Sequence, residues 1–354
     1  ETLKMMHETP TDMIPPLNRM MLGFYEQNYN GHRIISHGGD TVYMHSYLHL
    51  LLDDHVGLFV SVNSQGREGA AGAIRGALFD DFLGRYFPGA PDTHSVDAKT
   101  AAEHAKLMVG YYESSRRAET SFMSIGNFAS PFKLVVDKDG FLTASSFKGR
   151  NGAPRRYREV APFVWRDVES GWRLAAKVVD GRVQRFSIDE ISPFTVYEPA
   201  RWWRSASWLL PAVESSFAAL LLTTLLWPVA AIVRRRNNLK LDLVGRDERG
   251  RLLSRVAAVA VTAVSLGWLA LFSALSSRTA MLGPGLDPWL FLLHLVSIVG
   301  FVGGAIVLIW AAAVAWTGKR SWQGKVWTSV LAVSAVVMLW MAVVYHLTSF
   351  TSRY

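Results

Sequence analysis

The chain has 354 residues, 50% of them hydrophobic, with a formal charge of +8 and a mean hydropathy of +0.16. It has no cysteine, which excludes disulfides, thiol catalysis and thiolate metal sites. The basic excess does not point to nucleic acid, because many Lys and Arg flank apolar runs and no basic face with interleaved aromatics marks a soluble stretch. At roughly 150 residues per domain, the length predicts two or more domains. Residues 1–33 read as loop and short helix, interrupted by Pro10, Pro15 and Pro16. Ile35-Ser36-His37-Gly38-Gly39-Asp40-Thr41 reads as a strand entering a Gly-Gly turn. Its glycines admit positive φ and let another chain or a ligand approach the backbone. Strand-like runs follow at 42–52 and 56–63, joined as a hairpin by Asp53-Asp54-His55. Residues 67–87 predict an amphipathic helix with Ala70, Ile74, Ala77, Leu78 and Phe82 on its apolar face, and Pro88-Gly89 ends it.

Residues 89–106 read as a linker of small and polar residues. From 107 to 200 turn signals recur: Asp139-Gly140, Asn151-Gly152, Ser170-Gly171 and Asp180-Gly181. Strand-like runs lie between them at 133–137, 141–146, 163–168, 172–179 and 183–188. That spacing predicts a small antiparallel barrel or sandwich. The pairs Arg116-Arg117 and Arg155-Arg156 read as solvated turns.

Four apolar runs, at about 207–233, 253–275, 289–316 and 326–348, are each long enough to cross a ~30 Å hydrocarbon core. The first connection is rich in cations (Arg234, Arg235, Arg236, Lys240, Arg246, Arg249, Arg251), as is the third (Lys319, Arg320, Lys325), whereas the second holds only Arg278. The positive-inside rule makes loops 234–252 and 317–325 cytoplasmic and residues 1–205 extracytoplasmic. Trp202, Trp203, Trp208 and Trp289 fit the outer aromatic belt. The partner expected for 206–350 is thus the lipid bilayer of an inner or plasma membrane. Within the spans, Glu214, His294 and His346 fall near the outer end, where a shared polar cluster is the expectation. Gly300, Gly303 and Gly304 mark close helix packing.

The ordered set Gly23-Phe24-Tyr25, Asn30-Gly31, His37-Gly38-Gly39-Asp40 and Gly57-Leu58-Phe59-Val60-Ser61-Val62-Asn63-Ser64 resembles the C-terminal part of the class C-like serine β-lactamase and penicillin-binding-protein-like hydrolases. The resemblance implies that residues 1–88 close an α/β catalytic domain and that 107–200 form a lipocalin-like domain. It implies substrate binding by His37, Gly38, Gly39 and Asp40, with the Asp40 N–H as half of an oxyanion hole. The substrate would be a peptide, a cell-wall-like compound or an ester, cleaved by acyl transfer without a cofactor. The family's Ser-x-x-Lys and Tyr-x-Asn are absent upstream of His37. The expectation is a C-terminal fragment that does not turn over substrate by itself. The Ser-x-x-Lys matches at Ser130–Lys133 and Ser145–Lys148 fall in strand-like sequence, where residues three apart point to opposite faces. The reading from another class is a non-catalytic membrane protein with an extracytoplasmic domain that binds peptide or glycan. No metal site is expected, since His45 and His49, four apart on a strand, would lie roughly 13 Å apart.

Overall fold

The computed structural model describes residues 1–352 except 9, 12, 42, 91–93, 240–242 and 278–281. The start of the strand expected from residue 42, Lys240 and Arg278 lie outside the described residues. The chain forms two compact units: residues 1–116 with 131–200, and residues 117–130 with 201–354.

The first unit opens with helix α1 (Thr2–Glu8) and an antiparallel sheet of β1 (Tyr25–Glu26), β2 (Ile34–Asp40), β3 (His45–Leu51) and β4 (Val56–Val62), in that spatial order. The expected hairpin is β3–β4. The Gly-Gly turn is not a turn: β2 runs straight through it, with His37 opposite Leu48, Gly38 opposite Tyr47 and Asp40 opposite His45. Helix α2 (Ala70–Tyr86) follows. Its buried face is Ala71, Phe79 and Leu83, whereas Ile74 and Leu78 are 57% and 44% exposed. The face is rotated from the expected one because Arg75, one turn before Phe79, turns its side chain inward to reach Asp40.

Helix α3 (Ala98–Met108) occupies the second half of what reads as linker, and Asp97 caps it by accepting from the Thr100 N–H at 3.0 Å. Eight strands follow: β5 (Gly110–Ser114), β6 (Phe132–Val136), β7 (Leu142–Lys148), β8 (Pro154–Ala161), β9 (Val164–Asp167), β10 (Arg173–Val179), β11 (Arg182–Ile188) and β12 (Tyr197–Pro199). They close an antiparallel barrel in the order β10-β11-β12-β5-β6-β7-β8-β9. Gly140, Gly152, Gly171 and Gly181 all take positive φ at the turns, the backbone state that selects glycine. Trp165, Tyr157, Phe186, Leu134, Leu142 and Leu174 fill the interior, and Met108 of α3 packs with them. Burial of each large side chain contributes about 1.5–3 kcal/mol. Sheet and barrel share contacts. Trp172 packs with Ile34, Leu51, Phe79 and Leu83, and Asn18 donates to Asp189 through its backbone N–H (3.1 Å).

The second unit contains a short helix α4 (Gly126–Ala129) and the helices α5 (Ala206–Arg236), α6 (Arg246–Ser277), α7 (Asp287–Ser297), α8 (Gly304–Thr317) and α9 (Trp322–Val344). A π-helical turn, Ile298–Gly303, joins α7 to α8 as one span. The four resulting spans are long and apolar enough to cross a membrane, in keeping with an integral membrane protein. Gly300 and Gly304 allow the close approach of α6: a Cβ at either would sit 2.6 Å from a methyl of Val264 or Val261. Gly303 faces open space. Cross-helix hydrogen bonds run from Trp268 Nε1 to Ser297 Oγ (2.7 Å) and from Trp327 Nε1 to Thr223 Oγ1 (3.0 Å).

Candidate functional site

The site forms on the sheet of the first unit, and glycine places it there. A Cβ at Gly38 would stand 2.8 Å from the Tyr47 ring and 3.0 Å from Tyr25 Oη. Its absence lets tyrosines of β1 and β3 meet over β2, where Tyr25 Oη accepts from the Gly38 N–H (2.6 Å) and donates to Tyr47 Oη (3.0 Å). Beside them opens a cleft of about 760 Å³, lined by β2 and β3, by the inner face of α2, and by residues 116, 148–150, 155, 190 and 194. His37, Gly38 and Asp40 line it, while Gly39 does not. His37 is exposed, with its ring 5.8 Å from that of Tyr25.

Most charges in the cleft are compensated. Asp40 Oδ1 accepts from His45 Nδ1 (2.6 Å) and Arg75 Nη2 (2.8 Å). Partial burial opposes ionisation of Asp40, but the hydrogen bonds from His45 and Arg75 outweigh it and hold the carboxyl below its ordinary range. Arg155 forms a two-pronged pair with Glu190, at 2.5 and 2.9 Å. Burial disfavours its charge, and Glu190 restores it. Arg155 thus belongs to β8 and the cleft, not to a solvated turn. Its neighbour Arg156 pairs with Asp137 (2.7 Å) and Asp139 (2.6 Å) and lies over the Phe141 ring. Arg150 donates to Asp81 (2.7 Å) and Asp80 (3.3 Å). Burial pushes Asp80 up to about 6, against the opposing pull of Arg150.

Two cations remain. Arg116 and Lys148 line the cleft without a carboxylate partner among the described residues, and the Arg116 guanidinium lies 5.4 Å from the centre of the Phe194 ring. His49 is buried between Tyr47 (4.3 Å) and Phe79 (4.0 Å), shares a 3.0 Å hydrogen bond with Ser36 Oγ, and is held down to about 3 by burial. Among the described residues, no group of three or more His, Asp or Glu side chains can hold a metal ion.

Sequence reasoning missed Arg75, Asp80, Arg116, Lys148, Arg150 and Glu190, which come from four separate segments. One local signal was available. Arg155, Tyr157 and Glu159 alternate with Arg156 and Arg158, the period-two pattern of a strand with an inner face. In the second unit, Glu214, His294 and His346 make no hydrogen bond or ion pair with one another among the described residues. His294 Nδ1 bonds to the Leu347 carbonyl (3.0 Å), His346 Nδ1 bonds to Ser349 Oγ (3.2 Å), and Glu214 is exposed on α5.

No family model matches the chain, and no curated protein matches it. Among solved structures, one described as SurE is 15% identical, with a TM-score of 0.30 over 55% of this chain and 41% of that one. Another, SurE with D-Leu, is 15% identical with a TM-score of 0.28 over 51% of this chain and 38% of that one. The chain thus spans less than half the length of these neighbours. Neither description names a β-lactamase or penicillin-binding protein. The assignment of the chain to that family is therefore corrected, and the roles it implied for His37, Gly38, Gly39 and Asp40 lose that support. The local reason is the geometry of Gly38, which receives two tyrosine rings of the chain itself.

Proposed function

We propose that the chain is a membrane-anchored, non-catalytic binding protein whose cleft takes the carboxylate of an extracytoplasmic peptide. The observation that carries this reading is the pair of uncompensated cations, Arg116 and Lys148, in a cleft whose other charges are neutralised internally. Both cations are exposed on the cleft, and a carboxylate is the complement of that positive pair. Tyr47, Trp172 and Phe194 offer flat apolar surface for the neighbouring side chains. His37 stands at the rim, placed to donate to a second acceptor.

The anchoring helices set the side. The cations of Arg234–Arg236, Arg249 and Arg251, with Lys319 and Arg320, favour a cytoplasmic position for both of their loops. The first unit is then extracytoplasmic. Because the chain has no cysteine, Ser64→Cys and Asn237→Cys each create a single label site. A membrane-impermeant maleimide applied to intact cells is expected to label the first variant and not the second, and the reverse overturns the orientation. For the ligand, the purified full chain is titrated calorimetrically with a peptide ending in a free carboxylate and with its amide. The free acid is expected to bind at least about tenfold tighter, and Arg116→Ala with Lys148→Ala to remove the difference. Equal binding of acid and amide, or an acidic glycan bound where the peptide is not, refutes the peptide reading.

A further inference from the structure

The helical unit has a cavity of its own, of about 160 Å³, between α5, α6 and α9. Thr223, Leu226 and Trp227 of α5, Arg251 and Arg255 of α6, and Trp327 of α9 line it. Arg251 and Arg255 are four residues apart and share a helix face. Arg255 is nine steps along α6 from Arg246, about 14 Å at 1.5 Å per residue, inside the segment long and apolar enough to span the bilayer. Charge at that depth is costly unless it is matched. No protein group matches it: among the described residues, Arg234, Arg251 and Arg255 form no ion pair with a carboxylate, and the hydrogen bond of Arg255 runs to Ser254 Oγ at 3.1 Å. Two guanidiniums that line one cavity without a carboxylate call for a counter-anion with several acceptor oxygens, and a phosphate group fits the guanidinium fork.

We propose that this cavity holds the phosphate of an anionic phospholipid headgroup. The cavity is too small for more than the phosphate and its ester oxygens. Its wall gives the place for the rest of the lipid: Leu226 is 50% exposed, and Leu222, Leu225 and Val229 on the same helix are 46%, 58% and 52% exposed. The acyl chains run along that apolar flank while the phosphate reaches inward. The bond from Trp327 to Thr223 fixes two walls of the cavity. The site therefore differs from ordinary flanking cations, which interact with the membrane surface as a diffuse layer.

Native mass spectrometry of the full chain in detergent tests this, with phosphatidylglycerol, phosphatidylcholine and inorganic phosphate as probes. Phosphatidylglycerol is expected to be retained, Arg255→Gln to weaken its retention about tenfold, and Arg249→Gln, the same charge lost from an exposed position outside the cavity, to leave it unchanged. Arg251→Gln gives the same readout should Arg255→Gln not fold. Equal losses in the Arg249 and Arg255 variants overturn the proposal in favour of a diffuse charge layer. Equal retention of phosphatidylcholine overturns the anionic headgroup, and displacement of the lipid by millimolar inorganic phosphate overturns the lipid as occupant.

Discussion

His49 provides a direct test of the packing beneath the cleft. Its imidazole is 2% exposed, stacks on two aromatic rings, and is held by burial, with a smaller contribution from Arg75, at about 3 instead of 6.5. The unfolded chain therefore binds a proton at this residue between pH 6.5 and 3, and the folded chain does not. Stability rises with pH across that window and is lost as the pH falls through it. From pH 6.5 to 5.0 the cost is 1.5 units at 1.36 kcal/mol each, about 2 kcal/mol. For a unit of this size that corresponds to a fall in Tm of roughly 4–8 °C. The assay is thermal loss of β-sheet ellipticity for the full chain in detergent, at pH 7.5, 6.5 and 5.0. His49→Leu removes the titrating group, so its Tm is expected to fall less than that of the parent over the same interval, whatever its absolute value. Identical pH slopes for parent and variant would refute the reasoning.

Other outcomes follow from close contacts. Gly38→Ala places a methyl 2.8 Å from the Tyr47 ring and is expected to destabilise the first unit by about 1–3 kcal/mol, seen as a lower Tm. Gly39→Ala meets its nearest atom at an ordinary 3.5 Å and should stay within about 0.5 kcal/mol of the parent. Arg155→Ala strands Glu190 without its two-pronged partner, at an expected cost of about 3–5 kcal/mol, and Arg155→Lys restores only part because it lacks the fork. In the helical unit, Gly300→Ala and Gly304→Ala push against α6 at 2.6 Å and are expected to lower resistance to SDS unfolding, whereas Gly303→Ala leaves it unchanged.

The helical spans were legible because each needs only a run of apolar residues bounded by charge. The barrel's turns were legible because Asn-Gly and Asp-Gly report their own backbone angles. Closure of the barrel was not. Strand β8 alternates, but with Arg155 and Glu159 where an inner face ordinarily shows apolar residues, and β12 has only three residues. The face of α2 was misplaced by one position because an arginine replaces a hydrophobic residue on the buried side. The likeness to a hydrolase family rested on four ordered segments with His37-Gly38-Gly39-Asp40 at their centre, where Gly38 serves the packing of two tyrosines. The cleft was out of reach because its cations and acids come together only when α2, β7, β8 and the segment after β11 meet.

The shortness of β12 has a mechanical consequence. Tyr197–Pro199 is joined to β5 by three register pairs but to β11 only by Phe186 opposite Tyr197. The barrel is in effect a ring fastened by one clasp. This seam is expected to open before the others, with the amides of β12 exchanging their hydrogens ahead of the rest of the wall, which hydrogen–deuterium exchange of the full chain would show. Each release converts a surface without edges into one with two unguarded strands.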